Sequence, residues 1–399
     1  MIIQSKKVYF EEKLQPKQIK IQKDTIVGVF NYGTYKVDVD YGNNIIMPGL
    51  IDVHNHGYNG HEANDATSSW IKMWCDYLPS EGVTSSLFTI SSYPKQGLLK
   101  SLNLFKKYFE KPCKGAHILG VYEEGPFICS SKYRGAQALE HQIIPNKAII
   151  DEFNEACGGH LLYVMIAPEM LKGDYSVIDY CVSKNMTVAL GHTGATYNIC
   201  KKAIEHGARS FTHTYNGMAG LHHREPGVVG AAMRHDECYA ECICDGKHVD
   251  AIAAYNLAKI KGKDKFIIVS DSLGLKGKSQ GPHNTAEGIQ IVKGEVCYLE
   301  DEKTLCGSCH KLNSLVNYAI KTAKIDLVTV LNSVTINPMK MLGIKDRGLI
   351  KENYKADIAV FDSKFNNLAT YIDGKQYKKT SSWLDVFDCL HNIFFCLVR

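Results

Sequence analysis

Two histidines separated by one residue, His54 and His56, end an apolar run that begins at Ile45. Side chains two positions apart on a strand lie on the same face, so both imidazoles can reach one point. Neutral imidazole is the commonest metal ligand, and two of them at a strand end can supply half of a divalent-metal site. Because His-x-His pairs also occur by chance, this interpretation requires further ligands from elsewhere in the chain.

Residues able to bind a metal or move a proton follow five other apolar runs. They are Glu124, His192, His213, the turn from Asp245 to His248, and Asp271. A polar residue at one strand exit is ordinarily a solvated surface residue. Repetition at six exits instead predicts that these side chains share one site.

The apolar runs alternate with segments of helical character. The eight runs cover residues 45–54, 83–90, 116–122, 161–168, 187–192, 209–213, 239–245 and 266–271. Eight strand–helix repeats over about 250 residues predict a (β/α)8 TIM-like barrel, whose active face is formed by the carboxyl ends of its strands. An open doubly wound sheet is the alternative, but no glycine-rich phosphate turn follows the first strand.

Both ends of the chain have a different sequence pattern, in which short strands of apolar or alternating residues lie between turns. Neither end can bury its own apolar face, so the two are expected to pair into one small β-sandwich domain. The predicted division is 1–47 for its first part, 48–340 for the barrel, and 341–399 for its second part plus an apolar tail. The tail, residues 380–399, is expected to pack as a helix on the small domain or across a dimer interface.

Composition excludes several classes of protein. The chain has 46 basic and 42 acidic residues, a net charge of +4, and no basic block, so nucleic acid is not an expected partner. No apolar run is long enough to span a bilayer and the N-terminus has no secretory pattern, which predicts a cytoplasmic protein without membrane contact. The 14 cysteines are scattered, as for reduced thiols. Cys306 and Cys309 have metal or redox spacing, but no second such pair is present, and a structural role is expected.

The motifs together resemble the amidohydrolase superfamily. They are Pro48–Gly57, Glu124–Phe127, Gly191–Thr193, His213–Met218, Asp245–His248 and Ser270–Ser272. Three segments resemble the sugar-phosphate deacetylases of that superfamily in particular: Glu-Gly-Pro-Phe, His-Thr-Tyr-Asn-Gly-Met and Arg224-Glu-Pro-Gly. The resemblance extends from residue 1 to about residue 375.

This resemblance implies a metal-dependent hydrolase. Glu124, His192 and His213 would bind the principal divalent metal, and His54 with His56 would help to bind a second. One or two ions per subunit are expected, of zinc, iron, manganese or cobalt. In the implied reaction, a metal-bound water attacks the acetamide of N-acetylglucosamine-6-phosphate. Asp271 acts as general base and then acid, giving acetate and glucosamine-6-phosphate.

The resemblance also implies a substrate-binding set of Gln137, Asn216, Gly217, Arg224 and His248. Gln137 can donate a hydrogen bond but cannot titrate, so a binding role is expected for it. A guanidinium suits the phosphate end of the substrate. The arginine corresponding to Arg224 reaches the site of the neighbouring subunit in the resembling enzymes, which implies a homodimer.

Several alternatives remain open at this stage. Another amidohydrolase activity is possible, namely that of an N-acetylgalactosamine-6-phosphate deacetylase, a D-aminoacylase or a cyclic-amide hydrolase. The last is disfavoured because Glu124 stands where those enzymes usually carry a carboxylated lysine. A metal-binding scaffold without catalysis is disfavoured by Asp271, which such a scaffold would not need. Glu123, beside the Glu-Gly-Pro core, is expected to face solvent.

Overall fold

A parallel eight-stranded barrel forms the centre of the computed structural model, which describes residues 1–285 and 288–378. Its strands are Leu50–Asp52, Val83–Ile90, His117–Glu123, Leu161–Ile166, Thr187–Leu190, Ser210–Phe211, Tyr239–Cys242 and Phe266–Ile268. Each strand pairs with the next one along the chain. The first and eighth strands meet just past their carboxyl ends, where Asp271 N–H donates to His54 O at 3.0 Å. The predicted barrel is therefore confirmed.

One helix follows each barrel strand. These helices are Ser68–Tyr77, Lys95–Glu110, Lys147–Ala156, Ser176–Ser183, Tyr197–Glu205, Gly227–Arg234, Ala251–Lys265 and Leu312–Lys321, and Leu327–Ser333 and Ile336–Met341 come after them. The first begins where Thr67 Oγ1 accepts a hydrogen bond from Trp70 N–H. It buries Trp70, Ile71, Trp74 and Cys75, a spacing that places one apolar face on the barrel.

A second sheet combines both ends of the described chain. Its strands are Ile2–Phe10, Lys13–Gln22, Thr25–Asn31, Val39–Asp40, Ile45–Pro48, Ile358–Phe361, Asn367–Ile372 and Lys375–Gln376. Ile45–Pro48 joins the two halves, since it pairs parallel with the first strand and antiparallel with Ile358–Phe361. The predicted small β domain thus forms one continuous sheet around a shared apolar core. The domain limits given above stay predictions.

The first predicted strand, Ile45–His54, is divided between the two sheets. Ile45–Pro48 belongs to the terminal sheet and Leu50–Asp52 to the barrel. Gly49 lies between them, where a Cβ atom would come within 2.2 Å of Thr84 Cγ2. The chain passes so close to Thr84 that only glycine fits, and the strand changes sheets at this residue.

A four-stranded antiparallel sheet after the eighth barrel strand was not predicted. It comprises Gly281–Thr285, Gly288–Lys293, Val296–Leu299 and Leu305–Ser308. The sheet is attached to the barrel mouth, because Ser308 N–H donates to Asp271 O at 3.0 Å. In this sheet Cys309 Sγ lies 3.1 Å from Cys297 Sγ, so the Cys-x-x-Cys segment has a third thiol beside it.

Shorter elements complete the described chain. A two-stranded hairpin, Gly57–Tyr58 with His61–Glu62, follows the first barrel strand. Single 3₁₀ turns occur at Ala63–Asp65, Leu78–Glu81, Lys132–Arg134, Leu139–His141 and Pro168–Leu171. Within residues 1–285 and 288–378, no helix has the length and apolar character needed to cross a membrane. The predicted tail helix at 380–399 lies outside the described residues.

Candidate metal centre and active-site pocket

Five predicted ligands from four barrel strands converge at the carboxyl end of the barrel. The Nε2 atoms of His192 and His213 each lie 2.9 Å from Glu124 Oε1. On the other side of the same carboxylate, His56 Nε2 lies 3.3 Å from Oε2, and His54 Nε2 lies 3.2 Å from His56 Nε2. All five side chains are buried.

These residues form two groups that could each hold a metal ion. One group is His54, His56 and Glu124, and the other is Glu124, His192 and His213. Glu124 belongs to both groups, with Oε1 2.9 Å from His192 Nε2 and Oε2 3.3 Å from His56 Nε2. The arrangement therefore has room for one ion or for two ions that share a carboxylate.

The donor atoms are arranged to bind a cation rather than to hydrogen-bond with one another. His192 Nε2 and His213 Nε2 are 3.1 Å apart, as close as the pair formed by His54 and His56. Two such ring nitrogens can share only one proton, whereas a divalent cation uses both lone pairs. Burial acts to raise the pKa of Glu124, but the charge of His192 and hydrogen bonds from the imidazoles hold it well below its ordinary value. The centre is therefore a buried cavity lined by one ionised carboxylate and four imidazole rings.

Three site residues have a left-handed backbone that side chains rarely adopt. The φ angles are +43° at His192, +26° at His213 and +47° at Asp271. Such conformations cost on the order of 1–3 kcal/mol each and persist only where the surrounding structure imposes them. Each lies two or three residues past the end of a barrel strand, so backbone strain is present at the strand exits that bear these functional groups.

Asp271 lies at the centre of this arrangement. Its Oδ1 atom is 3.1 Å from His54 Nε2 and 3.2 Å from His56 Nε2. Burial acts to raise the pKa of Asp271, but the charge of His54 and the two hydrogen bonds hold it well below its ordinary range. An ionised carboxylate at this place can accept a proton from a molecule in the cavity.

Two buried carboxylates that sequence reasoning missed position these groups. Glu241 Oε2 accepts hydrogen bonds from His54 Nδ1 at 3.0 Å and from His213 N–H at 3.1 Å. Asp52 accepts bonds from Ser270 Oγ at 2.6 Å and Asn55 Nδ2 at 3.0 Å. Each lies inside an apolar run of the sequence. An acidic residue in such a run was the signal that could have identified both.

Gln137 projects its amide into the pocket in a fixed orientation. Ser92 N–H donates to its Oε1 atom at 3.0 Å, and Ser92 Oγ–H donates to the same atom at 2.6 Å. Among the described residues, its Nε2 atom has no hydrogen-bond partner although it is buried. The amide is thus held as a donor toward the pocket.

Asn216, Gly217 and His248 also line the pocket. Gly217 has φ of +56°, and a Cβ atom there would come 2.8 Å from His192 Nδ1, so this position requires glycine. Arg224 is different. It is exposed and lies outside the lining of this pocket, with its guanidinium 2.8 Å from His223 Nε2.

The expectation that Glu123 faces solvent is wrong. Its side chain is fully buried, and neither carboxylate oxygen has a hydrogen-bond partner among the described residues. The third barrel strand continues one residue past Tyr122, which places Glu123 near Cys157 and Cys181 of the helical layer. Burial raises the pKa of Glu123 well above its ordinary value.

Fold and site together define a metal-dependent hydrolase barrel, and the comparisons agree. The amidohydrolase family profile matches residues 45–377, so the chain belongs to the amidohydrolase family. An N-acetylglucosamine-6-phosphate deacetylase of Bacillus subtilis (strain 168) is 32% identical over 83% of this chain and 84% of its own length. A crystal structure of N-acetylglucosamine-6-phosphate deacetylase from Thermotoga maritima superposes with a TM-score of 0.85 at 26% identity, covering 95% of this chain and all of that one.

A relative with the epimeric substrate in its name is also similar. The N-acetylgalactosamine-6-phosphate deacetylase of Escherichia coli O157:H7 is 28% identical over 83% of this chain and 87% of its own length. The resemblance inferred from the motifs is therefore confirmed at the level of the amidohydrolase family and of its amino-sugar-phosphate deacetylases.

Proposed function

We propose that this protein hydrolyses the acetamide of N-acetylglucosamine-6-phosphate to glucosamine-6-phosphate and acetate. The observation that carries the proposal is the position of Asp271, whose Oδ1 lies 3.1 and 3.2 Å from the nitrogens of His54 and His56 beside the shared carboxylate of Glu124. The curated relatives support the choice of substrate.

The residues assigned to metal binding are Glu124, His192 and His213, together with His54 and His56. A divalent cation in this donor set, of zinc, iron, manganese or cobalt, would acidify water and polarise a carbonyl oxygen. Asp271 takes the proton of the attacking water and then delivers it to the leaving amine, since an ionised carboxylate can do both in turn. Gln137 and His248 line the pocket with Asp271, and we assign them as donors to the acyl oxygen as its negative charge grows.

The phosphate end is assigned to Asn216, Gly217 and an arginine. Because Arg224 is exposed and lies outside its own pocket, we assign it to the pocket of a second copy, which makes the enzyme a homodimer. Arg224→Lys is the matched test: it keeps the charge but loses the forked donor geometry. A raised KM for the phosphorylated sugar in a dimer of unchanged mass supports the assignment, and an unchanged KM contradicts it. A cytoplasmic location is part of this proposal.

The substrate assignment is tested by acetate release from four compounds under identical conditions. These are N-acetylglucosamine-6-phosphate, its galacto epimer, unphosphorylated N-acetylglucosamine and an N-acetyl-D-amino acid. The highest kcat/KM is expected for the first. A preference for the galacto compound would change the assigned substrate to the galacto epimer. Activity restricted to the amino-acid derivative would make the enzyme a D-aminoacylase.

A further inference from the structure

The ring of His248 is held by one buried carboxylate. His248 Nδ1 donates to Asp245 Oδ2 at 2.6 Å. The other oxygen, Oδ1, accepts the backbone N–H groups of Lys247 at 2.8 Å and of His248 at 2.7 Å. Gly246 permits this tight turn with φ of +73°, and a Cβ atom there would come within 2.2 Å of Tyr318 Oη.

The other ring nitrogen of His248, Nε2, is available to a ligand. His248 lines the pocket with Asp271 and Glu124, its side chain is only 5% exposed, and among the described residues its Nε2 atom has no hydrogen-bond partner. A neutral imidazole with its proton at Nδ1 presents only a lone pair at Nε2. Donation from Nε2 to an acyl oxygen therefore requires a second proton on the ring, and Asp245 supplies the compensating negative charge.

The neighbours of Asp245 support this assignment. Its side chain is fully buried, which acts to raise its pKa, but the hydrogen bond and charge of His248 and the two backbone N–H groups bring the pKa below its ordinary value. Another imidazole, His310, is farther away, with Nε2 3.7 Å from Asp245 Oδ2, and its Nδ1 lies 3.2 Å from Glu295. Tyr318 and Cys244, whose side chains are uncharged, also interact electrostatically with Asp245.

We propose that Asp245 is a positioning residue that holds His248 as a doubly protonated ring, with Nε2–H directed at the acyl oxygen of the substrate. The inference rests on the proposed deacetylation and extends it, because it identifies the charged donor that stabilises the developing negative charge. Asp245 acts only through His248 and does not itself contact the substrate.

Asp245→Asn tests this assignment with minimal change of shape. The Asn oxygen can still accept both backbone N–H groups, while its NH2 group replaces the acceptor of Nδ1–H. We expect kcat to fall about 10- to 100-fold with little change in KM, because a charged donor to the transition state is lost. The double variant with His248→Gln should be no slower than His248→Gln alone. Asp179→Asn is the matched control, since Asp179 pairs with His206 Nδ1 at 3.0 Å on the surface, and its kcat should be unchanged.

Nitrogen-15 spectra of the ring give a second measurement that needs no turnover. The His248 resonances are identified by their loss in His248→Gln. Protons on both ring nitrogens near neutral pH in the wild-type metal-loaded enzyme support the proposal, and a singly protonated ring overturns it even if Asp245→Asn fails to fold. An additive double variant, or an unchanged kcat in Asp245→Asn, also overturns it. Absence of acetate release by the wild-type enzyme would instead contradict the proposed function and leave the ring spectra interpretable.

Discussion

Ser270 Oγ donates to Asp52 Oδ2 at 2.6 Å, which links the first barrel strand to the segment that follows the eighth. Ser270 N–H adds a second bond to the same carboxylate at 3.2 Å. Since Asp271 is the next residue, this link fixes the position of the proposed general base relative to His54 and His56.

Ser270→Ala is expected to reduce both stability and turnover. Buried Asp52 would keep the bonds from Asn55 Nδ2 and the backbone N–H of residue 270 but lose its shortest one, which costs about 1–3 kcal/mol of unfolding free energy. Asp271 would also be less firmly placed, so kcat should fall. Thermal unfolding and acetate release measure the two effects. Ser363→Ala, at an exposed turn, is the control, and equal behaviour of the two variants would contradict this role.

Asp271→Asn should abolish turnover while leaving the metal content unchanged. The amide cannot accept the proton of the attacking water, so kcat should fall about 10²- to 10⁴-fold. Metal analysis of the purified variant is the decisive companion measurement. Loss of metal together with activity would show that Asp271 is a ligand and that the base has been misassigned.

Glu241→Gln is expected to weaken metal binding although Glu241 is not a proposed ligand. Its carboxylate holds His54 Nδ1 at 3.0 Å, and removal of such partners typically costs about 10- to 100-fold in metal affinity. Competition with a chelating dye measures the affinity. Glu237→Gln, which removes a surface partner of His235, should bind metal as the wild type does. Equal affinities in all three proteins would mean that Glu241 has only a structural role.

Glu123→Gln should stabilise the fold, and more so as pH rises. Burial raises the pKa of Glu123 in the folded protein above the unfolded value of about 4.3. Above that pH the unfolded chain has lost the proton that the folded protein retains, so stability falls as pH increases. Gln removes this loss, so the variant should gain stability relative to the wild type as pH approaches neutrality.

Urea unfolding at acidic and at neutral pH tests the Glu123 prediction. The gain should be small below about pH 4 and grow toward neutrality. Glu155→Gln, an exposed change on the adjacent helix Lys147–Ala156, serves as control. A gain that is the same at every pH would contradict the ionisation argument.

The sequence predicts the barrel and its ligand-bearing exits because strand order and exit positions follow from local hydrophobic pattern. His54, His56, Glu124, His192 and His213 each end or follow an apolar run and meet in space. Asp52 and Glu241 were missed because their role depends on which face of a strand points inward. Glu123 was misjudged for the same reason. Successive side chains point to opposite faces of a strand, so a strand that extends to Glu123 places this side chain on the face opposite to that of Tyr122.

The four-stranded sheet at the barrel mouth illustrates another limit. Its strands, such as Val296–Leu299 and Leu305–Ser308, have four to six residues and lie between polar turns, so the sequence pattern around them is weak. Their register depends on hydrogen bonds with neighbours that only the folded chain supplies. This sheet nevertheless contributes Leu305, Cys306 and Gly307 to the pocket.

The most direct test compares metal-free and metal-restored enzyme with N-acetylglucosamine-6-phosphate as substrate. Chelated enzyme should release no acetate, and added zinc, iron, manganese or cobalt should restore release in the wild type but not in Asp271→Asn. Such a result would establish that the shared Glu124 centre and Asp271 together perform the reaction. Full acetate release by the metal-free enzyme, or restoration in Asp271→Asn, would contradict the account.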